Sequence, residues 1–189
     1  MESLGASISA NTGNNAILIQ AAGLAPDLET ITDVFADVIL SPLLPADAIG
    51  REKASQLATL EEALQDPLHT GFRGLRHAVF SGAGYGLDAL GSPETLPALD
   101  HSELAAHHAR HFTAANITLA ISGDFDPAAL LDIITRKFAT LPPGQAWNAP
   151  ASTLTEGGEH LFRLPKKQAI PPSASPAPPS AARTATRSR

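Results

Sequence analysis

Apolar residues recur along the chain in two periods, and the period assigns the elements. Residues 16–21, Ala-Ile-Leu-Ile-Gln-Ala, are an isoleucine-rich run that follows the turn-forming stretch Asn11-Thr12-Gly13-Asn14-Asn15. Such a run predicts a buried strand, with a weaker strand before it near residues 5–10. The period then lengthens. Leu28, Ile31, Val34, Phe35, Val38 and Ile39 return every three or four positions, with Asp27 and Glu29 in the first turn, where the helix dipole favours acids. Ser41-Pro42 ends this helix, because a residue before proline is pushed out of helical geometry. A second helix is predicted over about 46–65, with Leu57, Leu60 and Leu64 on one face. Asp66-Pro67 reads as a cap with proline at the first helical position, and it opens a third helix with Leu68, Phe72, Leu75 and Val79 on one stripe.

Residues 81–99 are turn-rich, with Ser81-Gly82-Ala83-Gly84-Tyr85-Gly86 and later Gly91-Ser92-Pro93. Asp100 and Glu103 form an Asp-x-x-Glu capping pattern for a helix to about 111. Ile117, Leu119 and Ile121 alternate with Thr118, Ala120 and Ser122, which predicts a half-buried strand. Gly123-Asp124 turns the chain, and Asp126-Pro127 starts a last helix with Leu130, Ile134 and Phe138 inward. Residues 141–160 read as loop, and 161–164 as a further short strand. From about 165 the composition shifts to Pro, Ala, Ser and Arg, which cannot bury enough apolar surface to fold, so a disordered tail is expected.

Composition narrows the class. At 189 residues and 43% hydrophobic the chain suffices for one ordinary globular domain. No stretch approaches the roughly 18 apolar residues that cross a bilayer. There is no cysteine, which excludes disulfides and thiolate chemistry. Met1-Glu2-Ser3-Leu4-Gly5 has neither the basic nor the apolar region of a signal peptide; cytoplasm and periplasm both stay open. Net charge is −6, but six of the 13 basic residues and none of the 19 acids lie in 163–189, so the body carries 7 − 19 = −12. An acidic body argues against nucleic acid as a partner. The basic tail has no aromatics on which bases could stack, and solvated disorder is its expected state.

The densest ionisable cluster is His107-His108-Ala109-Arg110-His111. On a helix His107 and His111 stand one turn apart on one face, the spacing of paired metal ligands. Neither zinc-helix motif is present, because both need a glutamate between the histidines. Glu103, four residues earlier, keeps a site geometrically open, but a surface or packing role is the expectation. Glu61-Glu62, with Glu52 and Asp66, is an acidic patch able to supply a ligand or general base, and more simply a solvated face. The glycines at 82–86 lack phosphate-loop spacing and follow a helix, so a turn is expected. No Gly-x-Ser-x-Gly nucleophile elbow occurs.

The order of these pieces is more specific than any one of them. Ser3-Leu4-Gly5-Ala6-Ser7 leads into the strand; Arg51-Glu52-Lys53 opens the second helix. Asp66-Pro67, Tyr85-Gly86, Leu90-Gly91-Ser92-Pro93-Glu94, His111-Phe112, Asn116-Ile117 and Gly123-Asp124-Phe125-Asp126 follow in turn. Over about residues 3–168 this resembles the pitrilysin/insulinase/mitochondrial-processing-peptidase family of zinc metallopeptidases, the inverzincins. The resemblance implies an α+β fold, a LuxS/processing-peptidase-like α/β roll. It places most of one domain in 1–145, without that domain's first strand and helix. The part from about 100 matches the start of the family's C-terminal-type region. A linker with a possible strand then covers 146–168, and the tail 169–189. It also implies zinc on His-x-x-Glu-His plus a downstream glutamate, and paired halves enclosing a chamber for unfolded peptides.

Carried over residue by residue, the paired-histidine helix falls before Met1. The third ligand lies seven residues after the position of Glu52 and eight before that of Pro67, and both counts reach Thr59. A hydroxyl is a poor zinc ligand beside a carboxylate. Glu61 and Glu62 are rotated from Thr59 by about 200° and 300°, so Glu62 is the weak alternative. The family's second domain, whose Arg and Tyr help hold substrate in non-catalytic halves, is replaced here by the Pro/Ala/Ser tail. The expectation is therefore a truncated piece of a non-catalytic half, inactive and zinc-free alone, that meets peptide through a complementary half. Two alternatives stand: part of a zinc endopeptidase with its motif upstream, or a non-enzymatic structural subunit like those of respiratory complexes.

Overall fold

The computed structural model describes residues 4–81, 84–148, 154–155, 158–161 and 171–175, in two compact units. The first unit comprises Met1–Glu62 and Asp88–Ala151. It opens with an antiparallel hairpin of β1 (Ser7–Thr12) and β2 (Ile17–Ala22), registered from Ser7 opposite Ala22 to Thr12 opposite Ile17. Gly13 N–H donates to the Ala16 carbonyl at 2.8 Å and closes the turn. β2 forms within a residue of its expected place, while β1 extends through Asn11-Thr12 into the stretch read as turn; β2 is not buried, with Ile17 and Leu18 43% and 55% exposed. A two-stranded ribbon presents alternate side chains to opposite faces, and only Ile8, Ile19 and Ala21 on one face are half-buried. Gly23 lets the chain pass tightly to the next helix; a Cβ there would stand 3.0 Å from Ala6 Cβ and collide with the Ile31 side chain.

α1 (Leu28–Leu40) buries Ile31, Thr32, Ala36 and Ile39, and the Thr32 hydroxyl is satisfied by the Leu28 carbonyl at 2.7 Å. It ends as the sequence requires, with Ser41 N–H donating to Asp37 O at 2.9 Å. α2 (Ala46–Gln65) runs into the second unit in its last turn and carries Leu60, which is fully buried. Its exposed side fastens the turn-rich stretch. Lys53 Nζ donates to the carbonyls of Pro97 (2.8 Å) and Leu99 (2.6 Å), and Gln56 Nε2 to that of Leu90 (3.2 Å). α4 (His101–His111) is capped by Asp100, whose carboxylate accepts from Glu103 N–H at 3.0 Å. The hydroxyl of Ser102 and then the Glu103 N–H hold that carboxyl below its ordinary pKa. α5 (Pro127–Lys137) is capped by Asp126, which accepts from Ala128 N–H at 3.0 Å, and it buries Leu130. It packs on α1, with Arg136 on Glu29 at 2.7 Å and Lys137 on Asp33. The Arg136–Glu29 pair is largely open to water and contributes at most about 1 kcal/mol, whereas the Lys137 side chain of the second pair is only 22% exposed.

Residues 117–122 depart from expectation. Among the described residues they form no strand, and Leu119 and Ile121 are 37% and 38% exposed. Alternation identifies the face a strand would bury, but a strand exists only in a ladder, and no described segment supplies one.

The second unit comprises Ala63–Leu87 and Ser152–Arg189. α3 (Pro67–Val79) begins at Asp66, whose carboxylate accepts from the N–H groups of Leu68 and His69, both at 3.1 Å, while Pro67 needs no acceptor. The predicted stripe is covered at one end only: Leu75 and Val79 are half-buried, whereas Leu68 and Phe72 are each 49% exposed. Gly84–Gly86 forms a 3-10 turn that sets the Tyr85 ring 5.6 Å from Phe80, so the part of the glycine stretch that is described is a turn. Thr155 N–H donates to the Val79 carbonyl at 2.9 Å. Leu161 is exposed and outside any strand; the rest of the strand expected at 161–164, and most of the tail, lie outside the described residues. Helices with a small antiparallel sheet make the chain α+β.

Candidate functional site

Thr59 stands on the exposed side of α2, one residue before the buried Leu60. Its hydroxyl donates to the Ser55 carbonyl one turn back at 3.1 Å. The position that the resemblance makes the third zinc ligand thus holds a neutral group already satisfied by its own helix. Glu61 and Glu62 follow on the same helix, both exposed, as are Glu52 and Asp66. Asp66 is spent on the α3 cap. Among the described residues, no three histidine, aspartate or glutamate side chains converge as a metal cluster would require.

The histidines of α4 are brought into two separate arrangements. His108 faces α1: its Nε2 lies 2.7 Å from the Ile39 carbonyl, and its ring stacks on Phe112 with centres 4.5 Å apart. A carbonyl only accepts, so Nε2 carries the proton. A cleft of about 270 Å³ lies beside it, lined by Leu40, His108, Phe112, Leu141 and Pro142 among others. His107 and His111 form the other pair, with ring centres 4.6 Å apart. Trp147 meets His111 edge-on at 5.1 Å. Nothing in the sequence signals that contact, because the two residues are brought together by a loop. Ala114 and Ala115 N–H donate to the carbonyls of Pro142 (2.8 Å) and Pro143 (3.0 Å). Trp147 N–H donates to Asn116 Oδ1 at 2.6 Å.

Partial burial lowers the pKa of His107 below its ordinary 6.5, and the neighbouring His111, Arg110 and His108 charges lower it further. The folded chain therefore binds this proton more weakly than the unfolded chain. The penalty is absent above the unfolded value, enters as pH falls through 6.5, and is complete below the folded pKa. Stability from urea titrations is expected to be lower at about pH 5.5 than at about pH 7.5, and His107→Gln is expected to flatten part of that slope. An unchanged slope in the variant would remove His107 from the account.

Comparison with known proteins places these features. A family model described as the peptidase M16 inactive domain matches residues 98–175, the stretch that carries α4, residues 117–122 and α5. Over residues 98–175 the chain resembles the peptidase M16 family. Core protein I of the mitochondrial ubiquinol–cytochrome-c reductase complex of Euglena gracilis is 29% identical over 153 residues, covering 77% of this chain and 30% of that protein. The mitochondrial-processing peptidase subunit beta of Lentinula edodes is 24% identical over 142 residues, 75% of this chain and 30% of its own. An uncharacterized zinc protease of Rickettsia bellii is 22% identical over 162 residues, 85% of this chain and 39% of its own. Among solved structures, the peptidase M16 inactive domain from Pseudomonas fluorescens matches with a TM-score of 0.72 at 25% identity, covering 80% of this chain and 38% of that one. The chain spans about a third of the length of the curated relatives it matches. It resembles the inactive domain of the family and the non-catalytic halves of its members. Among the described residues, no helix is long and apolar enough to cross a membrane.

Proposed function

We propose that this chain is part of an M16-type peptidase protein, from a non-catalytic half that helps to form a peptide-binding chamber with a complementary, zinc-bearing half. In this reading residues 1–145 contribute to one α/β roll of the LuxS/processing-peptidase type. The stretch from about 100 begins its C-terminal-type region, 146–168 is a linker and 169–189 a tail. The observation that carries the reading is the match of residues 98–175 to the inactive domain. Thr59 supports it: a hydroxyl hydrogen-bonded to Ser55 O is a weak donor to zinc beside a carboxylate. The chain holds peptide by surface and leaves bond cleavage to the other half.

The experiment is to purify the tagged chain from its own cells, identify what accompanies it, and measure cleavage of a quenched fluorescent peptide by the chain alone. The expected result is an accompanying polypeptide that carries His-x-x-Glu-His, and no cleavage by the chain alone. Cleavage that needs zinc and is lost in Glu62→Gln would overturn the reading in favour of a zinc-bearing unit using Glu62 as third ligand. Accompanying respiratory-complex subunits, with no motif-bearing polypeptide, would overturn it in favour of a structural subunit.

A further inference from the structure

His108 is committed to Ile39, but His107 and His111 on the same helix are not used by the fold in this way. His107 is exposed and His111 half-buried, one turn apart on one face. Among the described residues neither ring makes a hydrogen bond or an ion pair; their ring contacts are with each other and, for His111, with Trp147.

The spacing of the rings has a chemical meaning. A late first-row divalent ion sits about 2.0–2.1 Å from an imidazole nitrogen, and the ring centre lies roughly 1.2 Å farther back. Two imidazoles that chelate one ion at about 90–110° therefore have centres about 4.5–5.4 Å apart. The observed 4.6 Å falls inside that range. Trp147, held by its N–H on Asn116 Oδ1, lies edge-on against His111 and limits that ring's freedom, so half of the chelate is oriented before any ion arrives. Neutral imidazole suits zinc, nickel and copper, and helix residues four apart are placed to bind one ion together.

We propose that His107 and His111 form a two-imidazole chelate for a late first-row divalent cation on the exposed face of α4. Water completes the coordination shell, since no third protein ligand converges there among the described residues. Thr59 and Glu62 take no part, so this proposal and the proposed function fail independently.

The test uses the full chain, freed of metal by chelator, and titrates it with Cu2+ and with Ni2+. Trp147 is the only tryptophan, and it touches His111, so bound Cu2+ is expected to quench its fluorescence at one ion per chain. His107→Gln and His111→Gln are each expected to weaken binding by about tenfold or more, while His101→Gln and Glu62→Gln leave it unchanged. Circular dichroism checks that each variant folds. In the unaltered chain Zn2+ is expected to shift the ring proton resonances of His107 and His111 before those of any other histidine, which tests the site without mutation. Quenching that survives His107→Gln in a folded variant, an equal loss in His101→Gln, or zinc shifts confined to other histidines would overturn the proposal.

Discussion

Replacing Leu60 by alanine is expected to cost about 2–5 kcal/mol of folding stability. Leu60 has no exposed surface, and it is the only large side chain among the described residues so completely enclosed. The loss has two parts. The removed methyl and methylene groups forfeit their transfer free energy, and the space they leave is only partly refilled. Against the roughly 5–15 kcal/mol that stabilises a typical domain, this is a large fraction. For a chain of this size it corresponds to a fall in Tm of roughly 10 °C. Leu60→Met, close in volume, is expected to cost less than about 1.5 kcal/mol. Thermal and urea unfolding of both variants measure the effect, and equal losses for alanine and methionine would contradict the cavity account. The neighbouring Thr59→Ala supplies the contrast, because an exposed hydroxyl bonded to its own helix contributes little that alanine does not replace.

Gly144→Ala is expected to cost about 2–4 kcal/mol, from backbone conformation and from overpacking together. Gly144 has φ +62°, a left-handed conformation that disfavours a Cβ, and a Cβ there would collide with the side chain of Thr113, which is itself buried. Neither strain can relax cheaply. Thr113 Oγ1 accepts from Asn116 Nδ2 at 3.1 Å, and Asn116 in turn holds Trp147. The substitution is therefore expected to loosen the loop over 142–147 as well as lower the Tm. Red-shifted Trp147 emission would report the loss of its packing on His111. A variant with unchanged emission and unchanged Tm would show that the loop does not depend on the left-handed turn.

The elements were legible wherever their causes are local. Asp66-Pro67 and Asp126-Pro127 each place a carboxylate two or three residues before the N–H groups it accepts from, so the starts of α3 and α5 can be read directly. Ser41-Pro42 stops α1 for an equally local reason, the crowding of a residue by the proline after it. The two strands were legible because an isoleucine-rich run and the turn-forming residues around Gly13-Asn14 lie within one short stretch. The histidine spacing on α4 was legible too, since a helix puts residues four apart on one face.

Coverage was not legible. Leu18 and Phe72 are as apolar as Ile31 and Leu60, yet the first two are about half exposed and the others buried. What separates them is which distant segment packs on each, and periodicity carries no record of that. Residues 117–122 make the same point, with a strand's alternation and no described partner. The site divides along the same line. By itself the sequence determined the helices and their caps, the pairing of His107 with His111 on one face, and a hydroxyl at position 59, because each depends on a few covalently adjacent residues. Only the tertiary structure decided that His108 turns to the Ile39 carbonyl and that Trp147 comes to rest against His111. It decided too that Leu60 is enclosed. Those contacts join residues far apart in the chain, and a loop or a packed face must form before any of them exists.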